Sequence, residues 1–180
     1  ITFPDNSVQA TAPRVGMVNR IINGDMRIDQ RNAGAAVTTS GAFPVDRFYI
    51  GNAGTTATFS MQQSSTAPAG FVNSVAFTVT ASDATLDASD RTYLTQSIEG
   101  LNVADLGWGA ANAATITLSF WVRSSLTGTF GGALRNSAGN RSYPFTYAIS
   151  AANTWEQKSV TIAGDTSGTW LTTNGVGINL

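Results

Sequence analysis

Apolar and polar residues alternate at every second position along much of this chain, the period of strands that bury one face. The strictest alternation runs from Ile22 to Arg31. Ile22, Gly24, Met26, Ile28 and Gln30 fall on one side, and Asn23, Asp25, Arg27, Asp29 and Arg31 on the other. The polar side also alternates in sign. Asp25, Arg27, Asp29 and Arg31 therefore read as a self-neutralising ladder of same-face neighbours on a strand. Such a ladder suits a surface covered by another strand or subunit. It equally suits a solvated face whose ion pairs are each worth ~0–1 kcal/mol.

The same period predicts further strands at 47–50, 55–63, 71–80, 93–99, 115–125, 143–149, 155–162 and 171–180. Within them Phe59 and Met61 share a side, as do Val75, Phe77 and Val79. Ile116, Leu118, Phe120 and Val122 share another, and Tyr143, Phe145, Tyr147 and Ile149 a fourth. Leu101–Trp108 reads as a single helical turn. Stretches rich in Ser, Pro, Gly, Asn and Asp separate the strands, and no internal repeat or heptad pattern is visible. The class that follows is all-β: a jelly-roll-like antiparallel β-sandwich.

Residues 1–18 read as an extended lead-in, broken by Pro4-Asp5-Asn6 and Pro13, and the sandwich domain as 19–180. Ile1, Phe3 and Val8 have no apolar partners nearby in sequence, so they are expected to pack on neighbouring subunits. The last residues, Gly177–Leu180, stop within a strand-like alternation. That would leave an open edge, so the domain is expected to be C-terminally incomplete, or completed by another chain. The absence of an initial Met fits a piece of a longer protein.

Composition narrows the chemistry. The formal net charge is −1, Lys158 is the only lysine, and the arginines are scattered. A nucleic-acid surface needs clustered positive charge, so no nucleic-acid partner is expected. The chain has no cysteine and no histidine. That removes disulfides, thiolate zinc sites, the Ser-His-Asp triad and the commonest metal ligand. No apolar run is long enough for membrane insertion. The only glutamates, Glu99 and Glu156, are not placed together by any pattern, so a paired-carboxylate glycosidase is not indicated. No cofactor is implied.

Candidate binding residues remain. Trp121 and Arg123 lie on the side of their strand opposite Phe120 and Val122. There an aromatic plate beside a guanidinium would suit a sugar, or both faces are buried and Trp121 belongs to the core. Tyr143 and Tyr147 belong to an aromatic stripe that reads as either binding platform or core. Trp155 and Trp170 read as anchors at strand starts. Trp108, flanked by Gly107 and Gly109, reads as a cap on one end of the barrel or a subunit contact. Asp83, Asp87 and Asp90 are candidate oxygen ligands for Ca²⁺, but their spacing is not that of an EF-hand loop. Side-chain bonds to the loop backbone are the alternative.

Several blocks resemble the distal domains of tail-fibre and receptor-binding proteins of tailed bacteriophages. They are ITFPDNSVQATA (Ile1–Ala12), NRIINGDMRIDQRNAG (Asn19–Gly34), FPVDRF (Phe43–Phe48), IEGLNVADLGWG (Ile98–Gly109), ITLSFWVRSSLTGTF (Ile116–Phe130), ALRNSAGNRSYPFTY (Ala133–Tyr147) and TWEQKSVTIAGDTSGTW (Thr154–Trp170). The resemblance covers nearly the whole chain. It implies a jelly roll like that of carbohydrate-binding modules, carried on the virion, usually in a homotrimeric fibre beside other virion proteins. It implies attachment to host cell-surface polysaccharide, or else a structural, assembly or decoration role. It implies no catalytic residue. Asp25, Arg27, Asp29 and Arg31, with Ile1, Phe3 and Val8, are the expected subunit-interface residues.

Overall fold

The computed structural model describes Pro4 and residues 18–180. Nine strands occur among these residues: β1 (Phe48–Ala53), β2 (Thr58–Ser64), β3 (Ser74–Ala81), β4 (Arg91–Glu99), β5 (Ile116–Val122), β6 (Gly128–Arg135), β7 (Ser142–Ile149), β8 (Glu156–Ile162) and β9 (Val176–Asn179). Two 3₁₀ turns, Gly100–Asn102 and Ala104–Leu106, stand where a single helical turn was expected. The fold is an all-β antiparallel sandwich. One layer is a five-stranded sheet in the order β1-β4-β9-β6-β7, and two separate two-stranded ribbons, β2-β3 and β5-β8, complete the architecture.

Each ribbon is held by apolar burial on one face. Phe59 and Met61 of β2 pack with Ile50 of β1, Leu94 of β4 and Val37. On the other side, Ile116 and Leu118 of β5 and Val160 and Ile162 of β8 pack on Ile98, Leu134, Ile178 and the indoles of Trp108 and Trp170. Those indoles meet edge to face, with centroids 4.7 Å apart. Alternation explains both contacts. In β5, Ile116, Leu118, Phe120 and Val122 turn inward, and Thr117, Ser119 and Trp121 turn outward.

The predicted strand over 22–31 does not form. Ile22–Asp25 is a turn, and Asn23 and Met26 adopt left-handed backbone conformations. The Asn23-Gly24 dipeptide is a turn former whose signal outweighs the alternation around it. Side-chain amides take the place of strand partners. Asn23 Nδ2 donates to the carbonyls of Ile28 (2.9 Å) and Asp46 (2.8 Å), and Asn23 Oδ1 accepts from Ile28 N–H. Gln96, with 0% of its surface exposed, donates Nε2–H to the Ile22 carbonyl (2.7 Å) and accepts the Ile22 N–H at Oε1 (3.0 Å).

The charge ladder is accordingly absent. Asp25 and Arg27 approach only to 3.8 Å on the surface. Asp29 instead accepts the backbone N–H groups of Asn32 and Gly34. Arg31 lies over the Phe43 ring, 4.1 Å from its centroid, and 3.6 Å from Asp46. The expected contacts of Ile1, Phe3 and Val8 lie outside the described residues.

β6 is a strand that the pattern does not announce, because Gly128, Gly131 and Gly132 interrupt its alternation. One of these glycines has a packing role. Gly132 stands opposite Phe145 in the β6–β7 register. A Cβ there would come within 2.5 Å of the Phe145 ring. Conversely, Trp170 begins no strand; it is buried against Trp108, and β9 starts at Val176.

Two outcomes test this packing. Gln96→Leu keeps the volume but strands both backbone groups of Ile22, and should lower the unfolding free energy in urea by about 1–3 kcal/mol. Gly132→Ala forces the Phe145 ring to move, and should cost about 1–3 kcal/mol in the same measurement.

Candidate functional site

The four expected ligand residues do not converge. Tyr147 faces into the sandwich, where its ring meets Phe120 edge to face at 5.0 Å and Phe130 in a stack at 6.0 Å. Burial pushes its phenol pKa up. Phe120 and Trp121 point to opposite sides of β5, so Tyr147 and Trp121 are separated by the strand itself. Tyr143, on the same face of β7 as Tyr147 but half exposed, stands at the rim of a different hollow.

Trp121 is open to solvent, with 39% of its surface exposed. It caps a flat outer face built from three cross-strand pairs of β5 and β8: Trp121 with Gln157, Ser119 with Ser159, and Thr117 with Thr161. All six side chains are on the exposed side. Successive pairs on one face are about 7 Å apart along a strand, so the hydroxyls form a short polar track leading away from the indole. Arg123 is the next outward position. Its Nε–H donates to the Asn153 carbonyl at 2.9 Å, and Asn153 N–H donates to the Ser124 carbonyl at 2.7 Å. Those two bonds fix the end of β5 against the turn that follows β7. The guanidinium spends one of its five donors there.

The face is rigid because the opposite side of the same ribbon is core. At its inner end lies one charge pair. Lys158 Nζ donates to Glu156 Oε2 at 2.6 Å, and Glu156 Oε1 accepts the N–H groups of Ser150 and Ala151 at 2.8 Å each. The Lys158 ammonium, then the backbone N–H groups, hold the Glu156 carboxyl down at about 2.

A second concavity of about 250 Å³ is lined by Trp108, Arg141, Ser142, Tyr143, Asp165 and Trp170, among others. Arg141 grips Asp165 with two parallel bonds, Nε–H to Oδ2 (2.7 Å) and Nη2–H to Oδ1 (2.6 Å). Trp170 Nε1–H adds a bond to Oδ2, and Ser167 N–H one to Oδ1. The Arg141 bond is the main reason the Asp165 carboxyl stays far below the usual range. With its oxygens engaged, Asp165 is a strut holding the Trp170 indole in place. The wall it supports is aromatic, with the Tyr143 ring at its mouth.

The Asp-rich loop is closed by its own bonds. Asp83 accepts from Thr85 N–H, from the Thr55 hydroxyl and from Thr56 N–H. The Thr85 N–H is the largest of these influences, and together they bring the Asp83 carboxyl to about 2. Asp90 accepts the Asp87 N–H at 2.8 Å. Among the described residues no three acidic side chains converge as a metal site would require.

Glu99 binds Arg47 Nη2 through both carboxylate oxygens (2.7 and 2.9 Å), and this bond leads the lowering of its pKa. The two glutamates thus sit in different strands, each with its own cation. Asp46 and Arg47 do not pair with each other. Asp46 accepts Gln30 N–H, while Arg47 reaches Glu99 and the Ser97 carbonyl. Asp46 and Arg31 share a surface hollow with Ile22 and Ile28.

Among the described residues no helix is long and apolar enough to cross a membrane. No family model, curated protein or solved structure matches the chain.

The hollow's Arg141 and Ser142 lie in the tract Asn140–Ser142, polar residues that alternation does not mark. A test of the electrostatics uses Glu156. Its folded pKa lies below its ordinary 4.5, so its stabilising effect is complete above that pH and is lost as pH falls toward about 2. Unfolding free energy measured from pH 7 to 2 should therefore fall less steeply in Glu156→Gln than in the parent below pH 4.5.

Proposed function

We propose that this domain is a glycan-binding module of a bacteriophage tail fibre or related virion appendage, attaching the particle to polysaccharide on the bacterial surface. The observation that carries the reading is the Trp121 platform. A large aromatic plate is held outward on a rigid sheet at the head of a track of hydroxyls, with a guanidinium beside it. Leaving an indole in water forgoes the stabilisation that its burial would give. An apolar plate next to hydroxyl donors and acceptors matches a sugar ring, which offers a C–H face to the aromatic and hydroxyls to the track. The resemblance of the sequence blocks to tail-fibre distal domains supports the same reading, and with it a homotrimeric fibre assembled with other virion proteins. We read the role as adhesion rather than catalysis: Glu99, Glu156 and Asp165 are each committed to an arginine or lysine partner.

A second reading, a structural or decoration protein without receptor binding, is favoured by one feature. The ribbon β2-β3 exposes Phe77 and Val79 on the same face that buries Phe59 and Met61.

A glycan array of host envelope polysaccharides, followed by titration calorimetry, separates the two. On the first reading the intact chain binds saturably. Trp121→Ala then weakens binding by about tenfold or more, while its circular dichroism spectrum stays that of the folded parent. Silence across host polysaccharides favours the second reading.

A further inference from the structure

Asparagine followed by glycine occurs twice in the chain, at Asn23-Gly24 and at Asn174-Gly175. The pair is chemically special. Glycine has no side chain to crowd its amide nitrogen. Once that nitrogen loses its proton, it can attack the side-chain carbonyl carbon of the asparagine before it. The structure treats the two pairs in opposite ways.

Asn23 is pinned at both ends of its amide. Nδ2 donates to the carbonyls of Ile28 (2.9 Å) and Asp46 (2.8 Å), and Oδ1 accepts the Ile28 N–H (2.9 Å). Closing a ring onto the Gly24 nitrogen would draw Cγ toward its own main chain and out of all three bonds. Reaction there first requires the segment to open, at the free-energy cost of that opening.

Asn174 is exposed, in the bend between Trp170 and β9. Among the described residues no hydrogen bond engages its side chain, and the Gly175 N–H has only a long bond to Thr173 Oγ1, at 3.4 Å. Two backbone bonds hold the bend against the first 3₁₀ turn. Leu101 N–H donates to the Thr173 carbonyl (2.9 Å) and Gly100 N–H to the Gly175 carbonyl (2.8 Å). Neither ties the Asn174 amide or the Gly175 nitrogen, the two groups that would react.

We propose that Asn174 is a site of spontaneous deamidation in the folded protein, while the fold shields the same dipeptide at Asn23. The step needs only water and solvent base. The base removes the Gly175 amide proton, the nitrogen bonds to Asn174 Cγ, the Cγ–Nδ2 bond breaks and Nδ2 leaves as ammonia. Water then opens the cyclic imide. Cleavage between Cγ and the nitrogen leaves aspartate at position 174. Cleavage between the main-chain carbonyl carbon and the nitrogen leaves isoaspartate, whose main chain runs through Cβ and is longer by a carbon.

Either product adds a negative charge to the bend. Isoaspartate also changes the spacing of the Thr173 and Gly175 carbonyls, which Leu101 and Gly100 hold in place. β9 starts at Val176, lies between β4 and β6 and buries Ile178 in the core. The modification therefore acts at the entry to a central strand. It is independent of glycan binding, since no residue of the Trp121 face enters it.

Mass mapping of peptides from the folded chain, held in mildly alkaline buffer, tests the proposal. Amide loss at Asn174 should run about tenfold faster than at Asn23, or more. Its products should include isoaspartate, detected with an isoaspartate-specific carboxyl methyltransferase. In denaturing guanidinium chloride the bonds to Asn23 are gone and both asparagines still precede glycine, so the two rates should converge to within about threefold. The urea midpoint should fall as isoaspartate accumulates, whereas freshly purified Asn174→Asp, which adds the charge on a normal backbone, should unfold close to the parent. Equal rates in the folded chain, a preference that persists unchanged in guanidinium chloride, or aspartate without isoaspartate overturns the proposal. An unchanged midpoint in isoaspartate-bearing protein overturns the effect on β9.

Discussion

Two narrow ribbons lie against one broad sheet, and one-sided apolar burial is what keeps them there. A two-stranded ribbon has little stability of its own in water. Phe59 and Met61 anchor one ribbon, and Ile116, Leu118, Val160 and Ile162 anchor the other. Because the strands alternate, the face that is not buried is presented outward as a flat and rigid surface. The Trp121 platform is thus a by-product of the same alternation that builds the core beneath it. Its rigidity comes from the packing of Leu118 and its neighbours rather than from contacts around the indole.

The ribbons being separate has a second effect. The segment from Ile22 to Gly34 is irregular chain, and its backbone groups must still find partners. Amide and carboxylate side chains supply them: Gln96 to Ile22, Asn23 to Ile28 and Asp46, Gln63 to Met26, and Asp29 to Asn32 and Gly34. Asn136 does the same at the turn after β6, reaching the Thr169 carbonyl and receiving the Arg141 N–H. Asparagine and glutamine, abundant in this chain and easily read as surface filler, therefore replace a share of the strand ladder.

Charge is used sparingly and locally. Arg141–Asp165, Arg47–Glu99 and Lys158–Glu156 each tie a loop or strand end. The tract from Phe48 to Ser82 carries no charged residue at all. The proposed contact through an aromatic plate suits a chain with so few charges, since it needs no long-range steering.

Period-two alternation made most strands and the all-β class readable from residues alone, because each strand's burial is decided by its own side chains. The shared sides of Phe59 with Met61 and of Ile116 with Leu118 were readable on that ground. Three things needed the tertiary structure. The strict alternation at 22–31 yielded to the Asn23-Gly24 turn, since a remote residue, Gln96, satisfied Ile22 without a neighbouring strand. β6 became a strand despite its glycines, because Phe145 from β7 fills the space above Gly132. The parting of Trp121 from Tyr147 depended on which side of β5 faces the sheet. Sequence order gives the two faces of a strand but not which neighbour lies against each, and only packing between distant segments settles that.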